Sequence, residues 1–150
     1  MPKVEHHSSF QGEIEYIAEY LKQVESDGNN FHEVCLVART HQLLKQYEGA
    51  LQAKGLDTYF IRRDEAEDRR KVGVRLATMH RIKGLEFDRV IIAGVNDGTV
   101  PLEVEWSRSN DQVIQRESEN QEKALLYVAA TRAKKEVVVT SFGTASRFLQ

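Results

Sequence analysis

Three short runs, 34-VCLVA-38, 89-RVIIAGV-95 and 136-EVVVT-140, are apolar at consecutive rather than alternating positions. Side chains along a strand point to opposite faces of its sheet, so a continuously apolar strand must be covered on both. Helical patterns stand between these runs. Ile14, Ile17, Ala18, Leu21 and Val24 recur at helical spacing before the turn formers Asp27, Gly28, Asn29 and Asn30. Leu43, Leu44, Tyr47 and Leu51 mark a second helix that stops near Gly55, and Glu122 to Thr131 reads as a third. Doubly buried strands alternating with helices predict an α/β fold: a mainly parallel sheet with helices on both faces.

The weaker segments complete the expectation. Thr58 to Ile61 is a short strand, and Val72, Val74 and Leu76 alternate as a strand does. The segment 62-RRDEAEDRRK-71 carries almost nothing apolar and reads as a solvated connection. Pro101 to about Asn120 reads as an irregular loop or short helical pieces, with Trp106 covering apolar surface. Thr144 is placed to cap a short terminal helix holding Phe148 and Leu149. The N-terminus, with adjacent His6 and His7, reads as loose.

At 150 residues the chain suffices for one domain, residues 1–150, that buries roughly 70% of its unfolded surface. Its 41% hydrophobic and 29% charged residues are those of an ordinary soluble domain. No run approaches the roughly 20 apolar residues of a membrane span, and MPKVEHHSSF lacks a signal-like apolar stretch, so a cytoplasmic protein without membrane contact is expected. The single cysteine, Cys35, lies within an apolar run and is expected in the core. A net charge of −2 excludes a surface tuned overall to wrap nucleic acid, so any such contact must be local. The histidines show no metal-ligand spacing, and no metal site is expected.

In open α/β sheets ligands bind beyond the carboxyl ends of strands. Three polar loops matter on that rule: 39-RTHQ, 78-TMHRIKGLEF, and whatever the helix ending in 131-TRAKK presents. No G-x-x-x-x-G-K-[ST] and no G-x-G-x-x-G occurs, and no nucleophile–base arrangement stands out, so self-contained catalysis is not expected. Arg132 follows a small, apolar helical stretch that would hold its guanidinium for a phosphate; equally, it could pair with a carboxylate or with the helix terminus. Glu86 could be an exposed loop carboxylate, and Thr78 and His80 could bond local backbone.

Two segments shift these alternatives when read together: 78-TMHRIKGLEFDRVII-92 and, about fifty residues later, 122-EKALLYVAATRAKKEV-137. They resemble the T-x-H-x-x-K-G-L-E-F and L-x-Y-V-A-x-T-R-A motifs of the UvrD/Rep group of superfamily 1 DNA helicases, in the right order. The stretch VCLVARTHQLLKQYEGAL is similar to a third, weaker motif, so the resemblance spans about residues 31 to 150. It implies the second of two RecA-like motor domains, with ATP in the cleft between them. By matching position it makes Arg132 the arginine that reaches the γ-phosphate, and puts Glu86 on the nucleotide ribose with Gly84 beside it. Thr78 and His80, with Arg39 and His41, would line a single-stranded DNA path.

The same resemblance implies that ATP and Mg2+ are bound mainly by an N-terminal RecA-like domain, whose Walker A and Asp-Glu motifs are not in this sequence. The chain is then expected to be a fragment, inactive by itself. It departs from the family's pattern in carrying Ala124 where a second arginine is usual, Leu102 where many members have a polar residue, and only 62-RRDEAEDRRK-71 where larger members insert a helical subdomain. These departures keep open a second reading, a stand-alone or degenerate module that binds protein or DNA without catalysis.

Overall fold

The computed structural model describes residues 2–62, 65–103 and 111–149. Six strands, β1 (Lys3–His7), β2 (Val34–Ala38), β3 (Thr58–Phe60), β4 (Val74–Thr78), β5 (Phe87–Ile92) and β6 (Ala133–Phe142), form one sheet. Its order is β1-β6-β5-β2-β4-β3, and every neighbouring pair is parallel. The helices are α1 (Phe10–Ser26), α2 (His41–Ala53) and α3 (Gln112–Thr131).

The expected double burial is present. All five residues of β2 are inaccessible to solvent, and alternate side chains enter two separate apolar clusters. Leu36 and Ala38 join Ile14, Ile17 and Leu21 of α1 and Leu44, Tyr47 and Leu51 of α2. Cys35 and Val37 face the other way, toward Leu125 and Ala129 of α3 and toward Met79 and Ile82 of the loop after β4. Each aliphatic side chain so buried contributes roughly 1.5–3 kcal/mol. Cys35 is therefore a core residue, and burial pushes its thiol well above the ordinary range.

The helix starts follow the sequence. Ser9 Oγ accepts Gly12 N–H at 3.1 Å and Thr40 Oγ1 accepts Leu43 N–H at 3.1 Å, each satisfying a donor that the first helical turn leaves unpaired. Asp111 does the same for Val113 N–H at 2.9 Å, which starts α3 well before Glu122. The amino half of α3 belongs to the stretch expected to be irregular. From Gln112 to Glu117 its residues are exposed, so they have no apolar period to read. Trp106 lies outside the described residues.

Other expectations are corrected. The N-terminus is an edge strand: β1 pairs with β6 from Lys3↔Val138 to His7↔Phe142, and His6 Nδ1 lies 2.8 Å from Ser141 Oγ. Val72 is exposed and precedes its strand. Ser146, not Thr144, caps the terminal turn, accepting Phe148 N–H at 3.1 Å. The charged connection is solvated as expected over most of its described residues, but Glu67 and Asp68 within it are tied to Arg75, which lies fully buried within β4. Its guanidinium donates to Glu67 Oε2 at 2.6 Å, Gly73 O at 2.8 Å and Asp68 O at 3.2 Å, and lies 4.9 Å from the Tyr59 ring centre.

A second buried charge ties the opposite face. Glu13 of α1 is inaccessible to solvent, and its carboxylate accepts from Tyr47 Oη, from Thr140 Oγ1 at 2.8 Å and from Gly94 N–H at 3.1 Å. Gly94 has φ +67°, and a Cβ there would stand 2.7 Å from Leu43 and 2.9 Å from the Tyr47 hydroxyl. Only glycine permits both the conformation and the close approach.

Candidate nucleotide and nucleic-acid interface

Because all strands run the same way, the sheet has one carboxyl end and one amino end, and the residues expected to carry function divide between them. Arg39 and His41 follow β2, and Thr78 and His80 end or follow β4. The pairing Ala38↔Thr78 brings these two loops side by side. With Thr40, Phe60, Ile61, Arg81 and Lys83 they line a cavity of about 700 Å3. Thr78 is half-buried and its Oγ1 accepts Arg81 N–H at 3.2 Å; His80 and His41 are exposed. Arg81 is braced by Arg62 O and Glu65 O, each at 2.9 Å, so the charged connection forms one flank of this region.

Arg39 is the exception in this group, since its guanidinium is already occupied. Nε and one terminal nitrogen donate to the two oxygens of Glu122, at 2.9 and 2.8 Å, and both side chains are largely buried. Glu122 Oε1 also accepts Leu102 N–H at 2.8 Å. Burial alone would raise the Glu122 carboxyl, but the hydrogen bonds from Arg39 and Leu102 and the charges of Arg39 and His80 outweigh it and hold the group below its ordinary value. Bidentate geometry of this kind is the strong form of the ion pair. No reading of the sequence joined these two residues, which lie 83 positions apart. The departures Leu102 and Ala124 both fall beside this pair: Leu102 supplies backbone to Glu122, and Ala124 lines a neighbouring groove of about 480 Å3 with Arg39, His80 and Lys83.

Glu86 and Arg132 stand at the other end of the sheet. The expectation that the 131-TRAKK turn would share the carboxyl-end site is therefore corrected: α3 runs antiparallel to the strands, so Arg132, which closes it, immediately precedes β6 at the amino end of the sheet. Phe87 N–H donates to Arg132 O at 2.9 Å and Phe87 pairs with Ala133, which makes Glu86 and Arg132 neighbours. Directly beyond them the register slips, with Phe87 opposite Ala133 but Arg89 opposite Glu136. Such bulges re-aim side chains and recur next to functional sites.

Arg132 caps α3. Among the described residues it has no carboxylate partner. One terminal nitrogen reaches Thr131 Oγ1 at 3.3 Å, and Nε is buried with no acceptor among the described residues. Glu86 is exposed and has no bonded partner among the described residues. Gly84 has φ +81° and open space around its α-carbon, so a ligand could approach its backbone.

The loop from Met79 to Glu86 connects the two ends. It is turned on itself by Ile82 N–H to Thr78 O at 3.1 Å and Leu85 N–H to Ile82 O at 3.0 Å, with Met79 and Ile82 buried against α3. Packed in this way, it is a strut rather than a loose tether. Among the described residues, no group of three or more His, Cys, Asp or Glu side chains is placed to hold a metal, and no helix is long and apolar enough to cross a membrane.

Comparison with known proteins bears on the family and the fold. The family model described as "UvrD-like helicase C-terminal domain" matches residues 59–144, more than half of the chain. YjcD of Bacillus subtilis is 30% identical over 132 residues, 82% of this chain and 16% of that protein. The ATP-dependent DNA helicase UvrD2 of Mycobacterium tuberculosis is 41% identical over 86 residues, 57% of this chain and 12% of its own length. The chain thus spans a small fraction of these curated relatives. In fold, the C-terminal domain of a possible DNA helicase from Lactobacillus plantarum superposes with a TM-score of 0.73 at 22% identity, over 99% of this chain and 78% of that one. The Sulfolobus solfataricus SWI2/SNF2 ATPase core, solved with double-stranded DNA, gives 0.58 at 14% identity, over 95% of this chain and 28% of that one. With its motifs, its parallel sheet and the family match over residues 59–144, this chain belongs to the UvrD-like helicase C-terminal domain family.

Proposed function

We propose that this chain acts as the second motor domain, residues 1–150, of a longer cytoplasmic ATP-dependent DNA helicase or translocase, and is inactive without the N-terminal RecA-like domain that binds ATP and Mg2+. In this reading Arg132 reaches the γ-phosphate across the cleft, while Glu86 and Gly84 face the nucleotide sugar. Thr78, His80, Arg39 and His41 line the path of a single DNA strand. The observation that carries the reading is the buried Arg132 Nε with no acceptor. A buried unpaired donor costs about 1–3 kcal/mol, and phosphate is among the acceptors whose geometry a guanidinium fork matches.

Mg2+ held by the N-terminal domain would supply charge neutralisation at the phosphates, and Arg132 would add positive charge where negative charge develops during transfer. Closure of the cleft on ATP would pull on the amino end of the sheet. Through the packed strut from Met79 to Glu86, it would also shift the groove at the carboxyl end relative to the partner domain's grip.

The test is to join the chain to its N-terminal half and compare Arg132→Ala with wild type. DNA-stimulated ATP hydrolysis is expected to fall by about 10³ or more, with single-strand affinity unchanged. Hydrolysis that survives the substitution would rule out the finger role.

A further inference from the structure

Resting on the single-strand reading of the carboxyl-end cavity, we infer that Phe60 and His41 form an aromatic corner there that stacks one nucleobase. The grip on the strand is then partly on a base face and not on phosphate alone.

Phe60 closes β3, the edge strand of the sheet. Tyr59, its neighbour, turns to the α3 side and takes the buried Arg75 against its ring. Phe60 therefore points to the other face, where it is half-buried against the cluster under α1 and α2 and also lines the cavity. His41, the first residue of α2, stands exposed against it, with ring centres 4.8 Å apart and planes at 56°. Rings tilted in this way make a corner rather than a closed stack.

The rest of the lining suits a polyanion carrying flat, apolar groups. Among the described residues Lys83 has no carboxylate partner, and Arg81 donates to the main-chain carbonyls of Arg62 and Glu65 and has no carboxylate partner either. Cations that track a backbone, with an aromatic surface between them, are the recurring pattern of sequence-tolerant single-strand binding. A duplex keeps its base faces stacked on one another and cannot use such a corner, so the corner selects for single strands.

The competing account of Phe60 is packing alone, and the experiment separates the two. Binding of the full chain to fluorescein-labelled oligo(dT), and to an abasic strand of equal length, is followed by anisotropy at low salt for wild type, Phe60→Leu and Phe60→Tyr. Leucine keeps an apolar filler and removes the ring, whereas tyrosine keeps the ring. Phe60→Leu is expected to weaken oligo(dT) binding about tenfold, as loss of one stacked base does, with Phe60→Tyr near wild type and the abasic strand indifferent to both changes. Equal weakening on the abasic strand, or no weakening on oligo(dT), overturns the corner.

If Phe60→Leu melts early, wild type alone still decides, since a corner that stacks a base must prefer oligo(dT) to the abasic strand. A wild-type chain that binds no single strand overturns both the corner and the groove reading. Binding that is lost in Thr78→Ala or His80→Ala yet insensitive to Phe60→Leu overturns the corner only.

Discussion

Two arginines at opposite ends of one sheet have contrasting environments. Arg39, after β2, is locked in a two-pronged pair with Glu122 and largely buried. Arg132, before β6, is held by the end of α3 and has a buried Nε with no acceptor among the described residues. The first has its charge neutralised within the fold and ties α3 to the loop after β2. The second leaves a hydrogen-bonding cost unmet and a charge available. A cation satisfied within the fold and one left with an unaccepted donor thus differ in their partners, not in residue type.

The contrast can be broken in graded steps. The largest effect is expected on catalysis: in the joined two-domain protein, Arg132→Ala lowers the ATP hydrolysis rate by about 10³ or more, measured under single-strand saturation.

Next comes stability. Arg39→Ala leaves the Glu122 carboxylate buried without its cation and should cost about 2–4 kcal/mol by urea denaturation. A loss below roughly 0.5 kcal/mol, the scale of a surface pair, would show that the pair does not hold the fold.

A smaller, pH-dependent effect follows from the lowered Glu122 carboxyl. A group with a depressed folded pKa contributes fully above its unfolded value, about 4.3 for glutamate, and loses that contribution as pH falls through the folded value. Glu122→Gln is therefore expected to lower the Tm at pH 7 and to flatten the fall of Tm on acidification below about pH 4.3. An undiminished acid slope would mean that other carboxylates carry it.

The smallest expected effect sharpens the contrast most. Arg132→Ala should change the unfolding free energy of the isolated chain by less than about 1 kcal/mol, because no strong bond is lost and a buried orphan donor is removed. A large destabilisation would make Arg132 a second structural arginine.

Much of this architecture was legible because it depends on burial. The runs VCLVA, RVIIAGV and EVVVT had to be covered on both faces, and the helical repeats Ile14–Val24 and Leu43–Leu51 supplied the cover on one of them. Where burial does not speak, the reading failed. β1 is a polar edge strand, KVEHH, held by main-chain pairing to β6. The start of α3 is exposed all round and is set by the Asp111 cap. Arg75 and Glu13 are charged residues inside the protein, a position that composition argues against and that their several hydrogen bonds allow.

The residues of the candidate site, and the loops bearing them, could be read from the resemblance of VCLVARTHQ, TMHRIKGLEF and LLYVAATRA to family motifs. Their division between two ends could not. A motif is read along the chain, but a parallel sheet collects the ends of strands that are distant in sequence. The register Phe87↔Ala133 puts Glu86 beside Arg132, and Ala38↔Thr78 joins the loops holding Arg39 and His80. Which arginine is occupied and which is open was likewise decided only when α3 brought Glu122 to Arg39, a pairing for which sequence separation carries no signal.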